Sequence, residues 1–120
     1  MNKGVSIMES QLEIREGLLK QRDKFGRAMP GLMAAVGALR DEAYKDGALS
    51  GKVKRLIAMG IALANGCTGC ILAQTSYAIE GGATKDEVLE ACAVAMSIGG
   101  TMAFAESLRV VKLLDELGKL

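Results

Sequence analysis

The sequence predicts an all-α fold. Apolar residues recur every three or four positions along most of the chain, and no segment of useful length alternates between apolar and polar residues as a half-buried strand would. Hydrophobic residues make up 50% of the composition, but aromatic residues only 3%. A core built from Leu, Ile, Val, Met and Ala favours helices, because small side chains let helix backbones approach closely. At 120 residues, we predict a single domain over 1–120, with its core at about 30–117 and an N-terminal helix within 1–29.

About six helices follow from start and stop signals. The first covers about residues 7–27, where Ile7 is the first of several apolar residues among many charges. The second begins near Pro30, a residue suited to a first helical turn, and runs to about Lys45. Its apolar stripe consists of Leu32, Met33, Val36 and Leu39.

Ser50 is the predicted N-cap of a third helix over residues 51–64, which Asn65-Gly66 ends. The fourth helix starts at Cys67 and Cys70 and runs to Glu80, before Gly81-Gly82.

The sequence Thr84-Lys-Asp-Glu87 is a capping box that predicts a fifth helix to about Ile98. Gly99-Gly100 then separates it from a sixth helix over about residues 101–117.

The charges exclude two classes of partner. Charged residues are 24% of the chain and the net charge is +1, so we expect neither nucleic acid nor a membrane surface as a partner. Leu56–Ile79 and Ala91–Ala105 are uncharged, but glycines and polar residues interrupt both runs, so neither is predicted to span a membrane. They predict helices buried nearly all round, for example against other copies of the chain. The first ten residues lack a signal peptide's apolar run, which predicts a cytoplasmic protein.

The stretch Asn65-Gly-Cys-Thr-Gly-Cys70 carries the candidate chemistry. Residues three apart on a helix lie about 5–6 Å apart, within the Cα separation of about 4.4–6.8 Å that a disulfide needs. A helix N-terminus also favours thiolate over thiol. The placement predicts that Cys67 and Cys70 form a reversible dithiol–disulfide couple. At the helix mouth Cys67 is expected to be the more exposed thiol, and therefore the first to attack in disulfide exchange.

Two other interpretations of the pair stay open. Structural zinc or an iron–sulfur cluster needs about four ligands, whereas this chain adds only Cys92 and has no histidine, so no metal or cofactor is expected. The two cysteines could also be inert small residues in a core. Cys92 lies in a predicted buried stripe with Val88 and Ala95, and is either a small apolar residue or a thiol that resolves a mixed disulfide.

Residues Lys52 to Gly100 resemble the carboxymuconolactone decarboxylase/AhpD-like family. The resemblance lies in an apolar helix before "NGCTGC", a second helix ending in "EGGAT", an acidic capping turn and then "GG". It implies an AhpD-like helical bundle with the CxxC at the N-terminus of a central helix. It also implies homo-oligomers, such as dimers, trimers or hexamers.

The resemblance implies either of two activities known in the family, thiol-based reduction or lactone decarboxylation. AhpD-like members reduce peroxides or partner disulfides. By this likeness Cys70 corresponds to the peroxide-attacking thiol and Cys67 to its disulfide partner. Redox members typically have a glutamate twelve residues before the first cysteine and a histidine four after the second, which form a proton relay. Arg55 and Gln74 occupy these positions here. Neither can act as a general base near neutral pH.

Arg55 and Gln74 are therefore candidate thiolate-stabilising residues. A cation close to a thiol lowers its pKa, which suits disulfide exchange, where the leaving thiolate needs stabilisation. The alternative is that Arg55 points to solvent.

The function that the sequence predicts is that of an antioxidant thiol–disulfide oxidoreductase, whose redox partner is a protein or small-molecule thiol or disulfide. Alkylhydroperoxidase activity of the peroxiredoxin type is the first alternative. Lactone decarboxylation, as in members that do not use the cysteine pair, and a non-catalytic assembly role are the others.

Overall fold

The computed structural model describes residues 9–120 as an all-helical chain, which confirms the predicted fold class. The predicted start of the first helix, at Ile7, lies outside the described residues. Five helices follow in order: α1 (Gln11–Ala28), α2 (Pro30–Tyr44), α3 (Gly51–Asn65), α4 (Thr68–Glu80) and α5 (Lys85–Glu116).

The helix count differs from the predicted six because the last two predicted helices join as α5. The junction is Gly100, whose φ of 67° and ψ of −148° are not helical. The glycine pair therefore interrupts the helical geometry where the sequence predicts a break, and the two helical segments follow each other across a kink without an intervening loop. Glycine is suited to this position because a positive φ carries no Cβ penalty there.

The predicted caps of α3 and α5 are confirmed. Ser50 accepts a hydrogen bond from the backbone N–H of Val53 at the start of α3. At the start of α5, Thr84 Oγ1 accepts from Glu87 N, and Thr84 N donates to the Glu87 carboxylate, at 3.1 and 2.9 Å. Each cap satisfies N–H groups that the first turn leaves without a helical partner.

The core lies between α3, α4 and α5, which pack against one another. Met59 and Leu63 of α3, Ile71 of α4, and Val88 and Val110 of α5 are completely buried. Burial of one such side chain stabilises the fold by about 1.5–3 kcal/mol. This three-helix core holds the start of α4, where the cysteines lie.

Helices α1 and α2 lie outside this core. Gln11 is the only buried residue of α1, and α2 has none. The predicted apolar stripe of α2 is only partly covered, since Leu32 and Leu39 remain 46% and 68% exposed. The start of α1 is fixed to the end of α5 by the Glu116 carboxylate, which accepts from Ser10 Oγ at 2.6 Å and from Gln11 N at 2.7 Å.

Within residues 9–120, α5 is the one helix whose length and composition would allow it to cross a bilayer. Its midpoint is broken by Gly100, and it packs against both α3 and α4. A core helix of a water-soluble protein meets the same length and composition requirement, but only 22% of the apolar window of α5 is buried. Val94 and Ile98 on its outer face are 68% and 86% exposed.

Candidate functional site

The cysteine pair lies where the sequence predicted, at the N-terminus of α4. Gly66 ends α3 in the left-handed region, with φ 69°, and turns the chain so that Cys67 becomes the N-cap of α4. Cys67 and Cys70 form a disulfide, with their Cα atoms 5.3 Å apart. Cys67 Sγ also accepts a hydrogen bond from the backbone N–H of Cys70, at 3.4 Å. A negative charge on Cys67 would therefore be stabilised by this N–H and by the helix N-terminus.

The exposure of the two cysteines is the reverse of the expected order. Cys70 is exposed, whereas Cys67 is half-buried. Cys67 continues the chain directly from the end of α3, where its backbone N–H bonds Ala62 O at 3.1 Å. Cys70, one turn later, faces outward. The expectation that the helix mouth exposes Cys67 more was wrong for this reason.

A cleft of about 250 Å³ opens beside the disulfide. Cys67 and Cys70 line one side of it, together with Gln74. Three arginines line the rest, along with Leu18, Leu19 and Gly69: Arg15 and Arg22 from α1 and Arg40 from α2. Leu18 packs close to the pair, since a methyl group added at Gly69 would lie 3.4 Å from Leu18 Cδ1.

The cleft arginines were missed by sequence reasoning. Arg15 and Arg22 are seven residues apart and therefore share a face of α1. That spacing was visible, but nothing in the sequence indicated that this face of a mostly polar helix covers the cysteines. Arg40 belongs to a different helix, so no spacing rule could place it there.

Arg55 and Gln74, which occupy the two positions of the family's proton relay, are in contact in the structure. Arg55 Nη1 donates to Gln74 Oε1 at 3.0 Å. The Arg55 guanidinium also lies over the rings of Tyr44 and Tyr77, with its carbon 3.5 and 4.4 Å from their centroids. Arg55 is half-buried, so the solvent-facing alternative was wrong. It does not line the cysteine cleft, however, and reaches it only through Gln74.

Tyr77 lies among three arginines. Arg22 Nη1 donates to Tyr77 Oη at 3.5 Å, and the Arg15 guanidinium lies 5.1 Å from the ring centroid. The hydrogen bond from Arg22 is the main cause that lowers the pKa of Tyr77. Partial burial opposes it, and Arg15 adds to it. The lowered pKa of Tyr77 indicates a positive electrostatic potential on this side of α4.

A second cavity, of about 770 Å³, adjoins the cysteine cleft. The two share Arg22, Arg40 and Gln74. Arg27 and Arg55 line the larger cavity as well, and its carboxylates are Asp23 and Asp41. The two cavities are therefore neighbours that meet at these three side chains.

Cys92 is separate from this site. It is 2% exposed and packs in the core with Val88 and Ala95, both also buried, as the predicted stripe requires. Burial raises the pKa of the Cys92 thiol, although Ser107 opposes the shift. A neutral, enclosed thiol is a poor nucleophile. Within residues 9–120 no three His, Cys, Asp or Glu side chains converge, so no metal-binding set can be assigned there.

The sequence model of the carboxymuconolactone decarboxylase family matches residues 30–113, which include both cysteines of the pair. The chain belongs to the carboxymuconolactone decarboxylase family. It is 36% identical to an uncharacterized protein of Cupriavidus necator over 81 residues, 68% of this chain and 72% of that one. It is also 33% identical to an uncharacterized protein of the Paracoccus denitrificans cox locus over 91 residues, 76% of this chain and 82% of that one.

Two solved structures of family members share the fold. A Legionella pneumophila protein in its apo form superposes with a TM-score of 0.85 at 34% identity, covering 91% of this chain and 97% of its own. A Thermotoga maritima protein, for which a role in antioxidative response has been suggested, gives a TM-score of 0.72 at 25% identity, covering 92% and 91%.

Proposed function

We propose that this protein is a thiol–disulfide oxidoreductase with an antioxidant role, in which Cys67 and Cys70 alternate between dithiol and disulfide. One observation carries the proposal: a disulfide-bonded pair at a helix N-terminus whose second sulfur belongs to an exposed residue lining a cleft. A purely structural disulfide would need no such opening. The antioxidative role suggested for the Thermotoga maritima relative is consistent with this chemistry.

In the first half-reaction, Cys70 is the attacking group because it is the exposed member of the pair. Its thiolate attacks one sulfur of the substrate disulfide, forms a mixed disulfide and releases the first substrate thiolate. The Cys67 thiolate then attacks Cys70 Sγ, which forms the Cys67–Cys70 disulfide and releases the second thiolate. The substrate gains two electrons and the protein dithiol loses two.

In the second half-reaction an external dithiol restores the protein. It attacks the accessible Cys70 Sγ, and Cys67 leaves as a thiolate. The Cys70 N–H that bonds Cys67 Sγ stabilises this leaving group. The second thiol of the reductant then releases Cys70 and becomes a disulfide itself. Cys70 carries the mixed disulfide in both directions, and Cys67 is the resolving and leaving thiol.

The alternatives receive less support from the residues around the pair. Peroxide reduction needs a proton relay, and the side chain that joins the cleft to Arg55 is the amide of Gln74. Lactone decarboxylation needs a proton donor, which in this cleft would have to come from groups other than histidine. A non-catalytic assembly role leaves the exposure of Cys70 unexplained.

The test uses the reduced protein and 2-hydroxyethyl disulfide, followed by mass spectrometry. We expect Cys67→Ser to accumulate a mixed disulfide on Cys70, and Cys70→Ser to react much more slowly. The double variant Cys67→Ser/Cys70→Ser retains Cys92 and serves as the control for other thiols. Consumption of the disulfide by the double variant at the wild-type rate would sink the proposal.

We also propose that the protein works in the cytoplasm as a homo-oligomer, and that α3 and α5 supply the contact between copies. A groove of about 430 Å³ runs between these helices, and every residue that lines it is apolar or a glycine. Its rim includes the exposed Ile57, Ile61, Val94 and Ile98. Contiguous apolar surface of this kind usually marks an interface.

Ile98→Lys tests this interface. The variant is expected to have a lower molar mass than the wild type in sedimentation experiments, and an unchanged mass would contradict the proposal that α3 and α5 form the contact between copies.

A further inference from the structure

The distribution of arginine in the molecule is uneven. The chain has six arginines and nine lysines. Five of the six arginines line the cysteine cleft or the adjoining cavity, whereas no lysine of the described residues lines either: Arg15, Arg22, Arg27, Arg40 and Arg55. Because the whole chain has a net charge of only +1, this is a local excess of positive charge, not a property of the surface as a whole.

The cations nearest the disulfide lack an anionic partner in the described part of the chain. No carboxylate among residues 9–120 forms an ion pair with Arg15, Arg22 or Arg40. The two carboxylates of the region, Asp23 and Asp41, line only the larger cavity. The residues described around the cleft therefore present three guanidinium groups and no negative charge.

Two of these guanidinium groups are oriented by Tyr77. Arg22 donates to its hydroxyl and Arg15 lies near its ring. Oriented guanidinium groups lose less side-chain freedom when they bind an anion, and their planar forks match carboxylate and phosphate oxygens. The lowered pKa of Tyr77 is consistent with the resulting potential. Neither hydrogen peroxide nor a neutral disulfide would require such a site.

We propose that the cysteine cleft and the adjoining cavity bind a small-molecule disulfide with anionic groups, held by Arg15, Arg22 and Arg40 beside Cys70. This inference rests on the proposed function, because it names the substrate class of the same dithiol. The adjoining cavity alone, at about 770 Å³, suits a small ligand, since such sites usually enclose about 300–1,000 Å³. The anionic groups contact the arginines, and the sulfur–sulfur bond lies against Cys70.

The first experiment compares three disulfides that differ mainly in charge: 3,3′-dithiodipropionate, 2-hydroxyethyl disulfide and cystamine. Each rate of oxidation of the reduced protein is divided by the rate of the same disulfide with dithiothreitol, which removes intrinsic reactivity. We expect the dianion to react at least about tenfold faster than the neutral compound and the dication to react slowest, with differences that shrink in salt. Equal normalised rates would overturn the proposal.

Variants locate the effect. Arg22→Met and Arg40→Met are expected to lower the ratio of the normalised rate with the dianion to that with 2-hydroxyethyl disulfide toward one, a ratio from which any change in thiol reactivity cancels. Lys24→Met is the matched control, because Lys24 is an exposed cation on the same helix that lines neither cavity. A preference that Lys24→Met reduces as much as Arg22→Met would assign it to general surface charge and overturn the site.

A binding experiment separates this inference from the redox proposal. Octanedioate has the shape and charge of dithiodipropionate but no sulfur, so its binding to Cys67→Ser/Cys70→Ser requires no chemistry. We expect calorimetric binding that weakens at least about tenfold in the added Arg22→Met/Arg40→Met background. Such binding without turnover of any disulfide would refute the redox function but support the anion site. Disulfide turnover without arginine-dependent binding would support the redox function and overturn the anion site. Displacement of octanedioate by acetate is then compared with its displacement by inorganic phosphate, which tells whether the site prefers carboxylate or phosphate.

Discussion

Glu116→Gln tests whether the contact between the two ends of the described chain holds α1 over the cysteine cleft. The carboxylate accepts two hydrogen bonds, at 2.6 Å from Ser10 Oγ and 2.7 Å from Gln11 N. A hydrogen bond to a charged group contributes about 1.5–3 kcal/mol. The amide of the variant would keep one acceptor oxygen, and Glu116 is only half-buried, so we expect a loss of about 1.5 kcal/mol. That corresponds to roughly tenfold more frequent opening of α1.

The expected pH dependence follows from the same contact. Burial disfavours the ionised form of Glu116, but the hydrogen bonds from Ser10, Gln11 and Leu12 and the charge of Lys112 together outweigh it and hold the pKa below its ordinary value of 4.5. A carboxyl whose pKa is lower in the folded protein stabilises the fold fully above its unfolded value, and this contribution disappears as the pH falls through the folded pKa. Opening of α1 should therefore increase below pH 4.5 in the wild type but not in Glu116→Gln.

Amide hydrogen exchange, corrected for the intrinsic rate at each pH, measures this opening. Amides of α1 should exchange about tenfold faster in the variant, while those of α3 should change little, because α3 belongs to the core. Glu90→Gln is the matched control, since Glu90 is an exposed carboxylate on the same helix. Unchanged protection of α1 in Glu116→Gln, or equal loss in Glu90→Gln, would refute the reasoning.

Three other predictions concern the scaffold of the site. Leu63→Ala should lower the free energy of unfolding by about 2–5 kcal/mol in urea denaturation, because Leu63 is completely buried, whereas Leu39→Ala, at 68% exposure, should cost under about 1 kcal/mol. Thr84→Ala should cost about 1 kcal/mol in the same assay through loss of the cap of α5, and Thr84→Ser should restore most of it. In the reduced, folded protein, iodoacetamide at about pH 8 should modify Cys70 and spare Cys92, because burial raises the pKa of Cys92 and encloses it. Modification of both at equal rates would contradict that burial.

Local signals predicted the helices well, because caps and glycine stops depend on residues only a few positions apart. Ser50, Thr84 and Gly66 each act where the sequence placed them. The glycine pair also predicted the loss of helical geometry at Gly100, but not that the helical segments on either side would meet without a loop, because that depends on how the neighbouring turns pack.

The candidate site was predictable only along α4. The spacing of Cys67 and Cys70 and the position of Gln74 relative to them lie within one segment. The arginines of the cleft come from α1 and α2, whose packing against α4 no local rule determines. Arg55 illustrates the limit. Its position in the family pattern was readable, but its contacts with Tyr44 and Tyr77 depend on how three helices meet.

The cysteines that react and some of the arginines that face them lie in different parts of the chain: the cysteines are at the start of α4, and these arginines are on α1. The family match begins at residue 30, whereas Arg15, Arg22 and Arg27 all precede it. A lineage could therefore exchange the segment over residues 9–29 and change which molecules reach the disulfide, while both cysteines stay in place at the start of α4. A chimera that carries another member's leading helix would show this as altered substrate preference.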